Sequence, residues 1–304
     1  MPSPQDNTAG SLGRGAAAAA FVLVALIWGS TWLVIRQQIS AEPAAWAIAF
    51  RFALACPCLF LLAWWRGDRL TLSRAGARLA VLVGATQFCG NFQFVYRAEQ
   101  HLTSGLVAVL YALLMVPNAL ASRIFLGVRQ GPRFLAGSLV ALVGIALLLL
   151  HEYRLAPPDA GVIAGLMLTL AGLLCASAAN VLQASDAARR EPLTTLIAWA
   201  MLAGVCADAA IAVASDGLPR LAGGAGFWAG TAYLALAGSV VTFPLYFALI
   251  RRLGAGRAAY NGVAVPVIAM GLSTLFEAYR WSTLAGWGAG IALAGLVLAL
   301  SGGP

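Results

Sequence analysis

The stretch WAIAFRFALACPC, residues 46–58, places Arg51 inside an otherwise apolar run. An isolated cation in hydrocarbon costs about 2.5–3.5 kcal/mol on insertion scales, so it needs an anionic partner or a polar cavity. Two chemistries fit. The planar guanidinium can grip a substrate carboxylate, or it can form a gating ion pair with an acid of the chain, for which Asp208 and Glu277 are the candidates. Other polar side chains recur at helical spacing in apolar surroundings. Gln87 and Asn91 are four apart, close to Gln93 and Tyr96; Tyr111, Met115, Asn118 and Ser122 form a stripe; Trp28 and Trp32 share a face. Asn180, Tyr260 and Asn261 supply the same chemistry from later in the chain. Singly, each fits interhelical hydrogen bonding worth about 0.6 kcal/mol. Together they describe a midplane site for a small amphipathic solute. Trp28, Trp32, Tyr111 and Tyr260 are its expected aromatic walls, Gln87, Asn91, Asn118, Asn180 and Asn261 its hydrogen-bonding lining, and Arg51 its charge.

Composition dictates what positions them. The chain has 304 residues, 61% hydrophobic and 10% charged, with a mean hydropathy of +0.86, whereas a soluble domain carries roughly 25% charged residues. Stretches of about 20 apolar residues can span a bilayer as helices. Ten are predicted: 16–35, 44–65, 79–96, 102–122, 134–150, 161–184, 193–215, 227–250, 257–278 and 283–300. None alternates with the period-two pattern of a barrel strand, so the expected class is an all-α membrane protein.

Charge placement gives orientation. With the N-terminus cytoplasmic, thirteen arginines fall in cytoplasmic segments and five on the other side, the bias of a positive-inside topology with both termini cytoplasmic. The expected location is the inner membrane of a bacterial-type cell. The formal charge of +8 then reflects loops facing anionic lipid headgroups, and no basic domain face suggests nucleic acid.

The chain also repeats. At an offset of 149 positions Glu42-Pro43 lies over Glu191-Pro192, Gly105 over Gly254, Tyr111 over Tyr260, Val116-Pro117 over Val265-Pro266, and Leu135-Ala136-Gly137 over Leu284-Ala285-Gly286, without a gap. The expected organisation is a flexible tail, 1–15, followed by five-helix repeats at 16–150 and 161–300. Five is odd, so the second repeat enters from the opposite side. That inversion is the architecture of alternating-access carriers with a central cavity.

The segments ALIWGSTWLVIR (25–36), FRFALA (50–55), VPNALASRIFLGVR (116–129) and VPVIAMGLSTLFEAYRWSTLAGWGAGIALAGLVL (265–298) resemble the EamA-type family of the drug/metabolite transporter superfamily. The resemblance runs from about residue 20 to 300. It implies ten helices, a central cavity and export or exchange of small metabolites. Family members often carry Glu where this chain has Val128, while Glu277 occupies the 149-shifted position. The small multidrug members use a carboxylate in the first helix, and no acid lies between Ala16 and Ile35.

Other chemistries lack their residues. No HExxH motif or P-loop occurs, and both histidines, His101 and His151, fall at expected outer loops, so an intramembrane enzyme is disfavoured. GAGRAA (254–259) imitates a dinucleotide loop but joins two membrane helices. Cys56 and Cys58 in CPC have no further ligands nearby, so they read as packing residues; no metal or cofactor is expected. Gly286 and Gly290, echoed by Gly137 and Ala141, form a small-residue face for close helix packing, with a homodimer as a further use. The expectation is a secondary transporter for an amino acid or similar amphipathic metabolite. A passive channel or lipid flippase of the same fold is the alternative.

Overall fold

A computed structural model describes residues 14–102, 104–155, 160–219, 221, 223–276 and 282–300. All regular structure among them is helical. The helices are α1 (Arg14–Ala41), α2 (Ala44–Trp65), α3 (Arg74–Val83), α4 (Phe92–Ala98), α5 (Ser104–Tyr111), α6 (Met115–Leu126), α7 (Pro132–Leu155), α8 (Ala160–Ala184), α9 (Asp186–Arg189), α10 (Leu193–Asp216), α11 (Ala225–Ala235), α12 (Thr242–Leu253), α13 (Ala255–Ala258), α14 (Asn261–Phe276) and α15 (Thr283–Leu300). Two π-helical segments, Gly84–Asn91 and Leu236–Val241, join α3 to α4 and α11 to α12, and a 3₁₀ turn, Ala112–Leu114, joins α5 to α6.

Among the described residues, six helices are long and apolar enough to cross a membrane: Gly15–Ala41, Ala44–Trp65, Ser104–Leu126, Gly161–Ala184, Leu193–Asp216 and Ala225–Leu253. Pro132–Leu148 and Thr283–Ala299 are shorter apolar helices. The expected span 79–96 lies within the run α3 to α4, and 257–278 falls across α13 and α14. Large apolar side chains such as Leu61, Trp64, Leu139, Met167 and Val297 are exposed on the outside. Such a surface suits hydrocarbon rather than water.

Local chemistry explains several helix ends. Pro43 and Pro192 stand at the N-caps of α2 and α10, where the missing N–H costs nothing. The first helix runs to Ala41, past the expected Ile35, because its polar end finds partners. Arg36 Nη1 donates to the carbonyls of Glu99 and Leu102 at 3.2 and 3.0 Å. Buried Gln38 donates to the Phe227 carbonyl at 2.9 Å and accepts from Thr231 Oγ1 at 2.8 Å. Helix α7 likewise runs to Leu155, so His151 is helical rather than in a loop.

Packing follows small residues. Helix α7 lies along α15, and α2 along α10. A Cβ on Gly144 or Gly295 would collide with the backbone of the opposite helix, at Ala292 and Ala141 respectively, so α7 and α15 touch backbone to backbone. The contact face of α15 is therefore Gly288 and Gly295, not the expected Gly286 and Gly290, which have open space at the Cβ position. The register differs by two residues from the one that small-residue spacing suggested.

Beyond α2 the chain is tied down by Glu191, just before Pro192. Its buried carboxylate accepts from the Ser73 hydroxyl, from Ser73 N at 3.2 Å and from Arg69 Nη2 at 2.7 Å. Arg251, at the end of α12, donates to the carbonyls of Glu191 and Ala188 at 3.1 and 2.6 Å. Burial by itself raises the Glu191 carboxyl, but the Ser73 hydroxyl and amide and the Arg69 guanidinium hold it below the usual carboxylate range.

Candidate functional site

A cavity of about 100 Å³ lies where both halves of the chain meet. Its walls come from α1 (Trp28, Thr31, Trp32, Ile35), α2 (Arg51), the first π segment and α4 (Gln87, Asn91, Phe92, Val95), and the α5–α6 run (Tyr111, Leu114). The later half adds Ala176 and Asn180 of α8, Phe243 and Tyr246 of α12, and Gly262 and Val265 of α14.

The first π segment gives Gln87 and Asn91 to this wall, and the second anchors its Arg51 and Trp28. A π turn withdraws backbone groups from the regular ladder and re-aims them, and such turns often mark functional positions. In the second segment the Gly238 carbonyl accepts from Arg51 Nη2 at 3.0 Å, from Thr242 Oγ1 at 2.8 Å and from Trp28 Nε1 at 3.4 Å. Ser239 Oγ accepts from Arg51 Nε at 3.0 Å. Arg51 Nη1 donates to Tyr96 OH at 3.3 Å, and the guanidinium carbon lies 5.2 and 4.7 Å from the ring centres of Phe52 and Phe92. Arg51 is 2% exposed, held by neutral oxygens and two aromatic faces.

The neighbouring amides are only partly committed. Tyr111 OH donates to Asn91 Oδ1 at 2.6 Å. Asn180 Nδ2 donates to Tyr246 OH at 3.3 Å, leaving Asn180 Oδ1 buried without a partner, and Trp32 Nε1 is in the same condition. Trp28 Nε1 is held by Thr242 Oγ1 at 2.9 Å, and the Trp28 ring packs 4.8 Å from that of Tyr246.

Seven of the ten expected binding residues thus border one cavity: Trp28, Trp32, Arg51, Gln87, Asn91, Tyr111 and Asn180. Three lie elsewhere. Asn118 donates to the Ala255 carbonyl at 3.2 Å, fastening α6 to α13. Tyr260 OH pairs with the Ser138 hydroxyl at 2.6 Å and its ring packs on Phe134, 5.3 Å away. Asn261 Nδ2 donates to the Phe21 carbonyl at 2.7 Å. Each binds the α13–α14 region to a neighbouring helix. Phe92, Phe243 and Tyr246, which also border the cavity, went unforeseen, as did Gly238 and Ser239, which hold Arg51, because the π winding leaves no signature in spacing.

The expected pair of Arg51 with Asp208 does not form. Buried Asp208 instead accepts from Gln93 Nε2 at 2.8 Å, while Arg97 Nη1 donates to Gln93 Oε1 at 2.7 Å. The rotation of α10 turns Asp208 toward the α4 face that carries Gln93, and Arg51 is turned toward the second π segment. The other acid named for this pair, Glu277, lies outside the described residues.

With this geometry in place, comparison with known proteins is decisive on one point. The sequence profile of the EamA-like transporter family matches residues 15–150 and 163–301. The chain belongs to the EamA-like transporter family. Among similar proteins, the uncharacterized inner membrane transporter YedA of Escherichia coli is 27% identical over 249 residues, 82% of this chain and 79% of YedA. Protein PagO of Salmonella typhimurium is 31% identical over 132 residues, 43% of each chain. A solved crystal structure superposes with a TM-score of 0.73 over 94% of this chain and 98% of its own, at 19% identity, a likeness of fold. The protein is accordingly an integral, multi-pass membrane transporter.

Proposed function

We propose that the protein is a secondary transporter of ten spans, built as two inverted five-helix repeats at 16–150 and 161–300. In this reading it exports or exchanges a small organic metabolite, an amino acid or similar amphipathic solute, across the inner membrane by alternating access. Both termini are cytoplasmic, and arginine-rich cytoplasmic loops meet anionic lipid headgroups.

The observation that carries the reading is the cavity itself, which draws aromatic, amide and guanidinium groups from both repeats to one place. Helix pairing supports the repeat. Under the 149-residue shift α2 maps onto α10 and α7 onto α15, and each pairs with its own image; α8 packs on the α3–α4 run as α1 packs on the α11–α12 run. The first π segment shifts onto residues that overlap the second. Size supports movement. Pockets that hold drug-sized ligands measure about 300–1,000 Å³, so a cavity of about 100 Å³ must part its walls to load, as rocking of the repeats would allow.

Reconstituted uptake across amino acids, nucleosides, sugars and organic acids tests this, comparing wild type with Gln87→Ala and Asn91→Ala. The expected result is saturable uptake of one solute class, with KM raised several-fold by either substitution. Unchanged KM in both variants for every transported solute would remove these residues from the site.

A further inference from the structure

Two grooves of about 630 Å³ each flank α6. The one against α8 is lined by apolar and small side chains and carries no charged one. The other, between α6 and α7, ends in Arg123, Arg129 and Gln130. Val116, Leu120 and Arg123 stand at i, i+4 and i+7 on α6, as do Leu135, Leu139 and Leu142 on α7, so each helix gives one face to this groove. At 1.5 Å per residue each stripe is roughly 10 Å long. Val116, Leu120, Leu135 and Leu139 are 42–66% exposed, and buried Met115 and Phe134 close the floor. The charged end is where α6 stops and α7 starts: Arg123 lies in the last turn of α6, and left-handed Gly127 turns the chain so that Arg129 and Gln130 line the same groove.

We propose that this groove binds an anionic phospholipid, with one acyl chain along the α6 and α7 stripes and the phosphate gripped by Arg123 and Arg129. The inference rests on the reading above that arginine-rich loops meet anionic headgroups, narrows it to one groove, and makes no use of the transported solute. Charge complementarity selects the occupant. Guanidinium forks match phosphate oxygens, and basic pockets between membrane helices are recognised headgroup sites. A zwitterionic headgroup brings its own cation against two guanidiniums, and a soluble phosphate ester leaves the apolar stripes uncovered. The neighbouring groove is the internal contrast: it offers the same volume to an acyl chain with no cation to choose the headgroup.

The full chain in detergent is titrated with dioleoylphosphatidylglycerol, dioleoylphosphatidylcholine and glycerol 3-phosphate, read by thermal unfolding and by native mass spectrometry of bound lipid. Phosphatidylglycerol should bind at least about tenfold tighter than phosphatidylcholine and stabilise at lower concentration, with glycerol 3-phosphate inert. Arg123→Gln combined with Arg129→Gln should erase the preference, whereas Arg74→Gln combined with Arg78→Gln, an exposed pair on α3, should keep it. Leu139→Trp, which narrows the groove and leaves both arginines in place, should weaken both lipids together. Equal affinity for the two lipids in wild type, the same loss from both arginine pairs, or lipid binding unchanged by Leu139→Trp would each overturn the proposal. Stabilisation by glycerol 3-phosphate would assign the arginines to a free phosphate instead, and a dimer dissociated by Leu139→Trp with lipid preference intact would assign the groove to a second copy. None of these readouts involves transport, so the proposal fails or stands apart from the transport reading.

Discussion

Arg51 Nη2 and the Gly238 carbonyl lie 3.0 Å apart, joining α2 of the first half to the π segment of the second. The π turn makes the contact possible, because an α-helical ladder would engage that carbonyl differently. A Cβ on Gly238 would sit 3.0 Å from Thr31 Cγ2 and 3.3 Å from Arg51 Nη2. Gly238→Ala should therefore push Thr31 and the guanidinium aside by a few tenths of an ångström, at a cost below about 1 kcal/mol because both contacts are to side-chain ends. KM should rise more than kcat falls. Thermal unfolding in detergent together with transport kinetics checks both, and an unchanged KM would detach Gly238 from the site.

Asp208 tests the polar contact between α4 and α10. Asn in its place keeps an acceptor for Gln93 Nε2, whereas Ala leaves that buried donor bare, at about 1–3 kcal/mol. Thermal unfolding should rank wild type and Asp208→Asn close together and Asp208→Ala clearly below. Equal losses in both variants would mean that the hydrogen bond contributes nothing.

Acid should loosen the junction around Glu191. Its folded carboxyl titrates below the ordinary carboxylate value of about 4.5, so the stabilisation is fully present above that value and is lost as pH falls through the folded one. Because Arg69 is more than half exposed, its ion pair adds at most about 1 kcal/mol, and most of the effect comes from the Ser73 donors. Melting temperature measured from pH 7 down to pH 3 should fall more steeply for wild type than for Glu191→Gln. Parallel curves would contradict the assignment.

The seam between α7 and α15 predicts a contrast between two glycines. Gly144→Ala drives a methyl into the backbone at Ala292 and should cost about 1–3 kcal/mol. Gly286→Ala enters open space and should stay within about 0.5 kcal/mol. Unfolding midpoints of the two variants decide it. Equal midpoints would mean that the seam is looser than backbone contact.

How far the amino-acid sequence reveals this arrangement depends on the kind of constraint. Hydropathy identifies the helical membrane class because the bilayer forces it, and i, i+4 spacing puts Trp28 with Trp32 and Gln87 with Asn91 on shared faces. Spacing does not say which neighbour a face meets. Tyr260 and Asn118 carry the right chemistry yet serve helix junctions, and Asp208, at a depth resembling that of Arg51, is rotated toward Gln93. The π segments re-aim Gly238 and Ser239 by a local change in winding that residue propensities do not encode. Glu277, which spacing nominated beside Asp208, lies outside the described residues.

In the carrier we propose, two repeats expose one cavity to alternate sides. Trans-acceleration in proteoliposomes tests it most directly: initial uptake of a labelled transported solute is measured with and without unlabelled solute inside the vesicles. Alternating access predicts saturable uptake, accelerated by internal solute. Flux that rises linearly with concentration and ignores the internal solute would contradict the account.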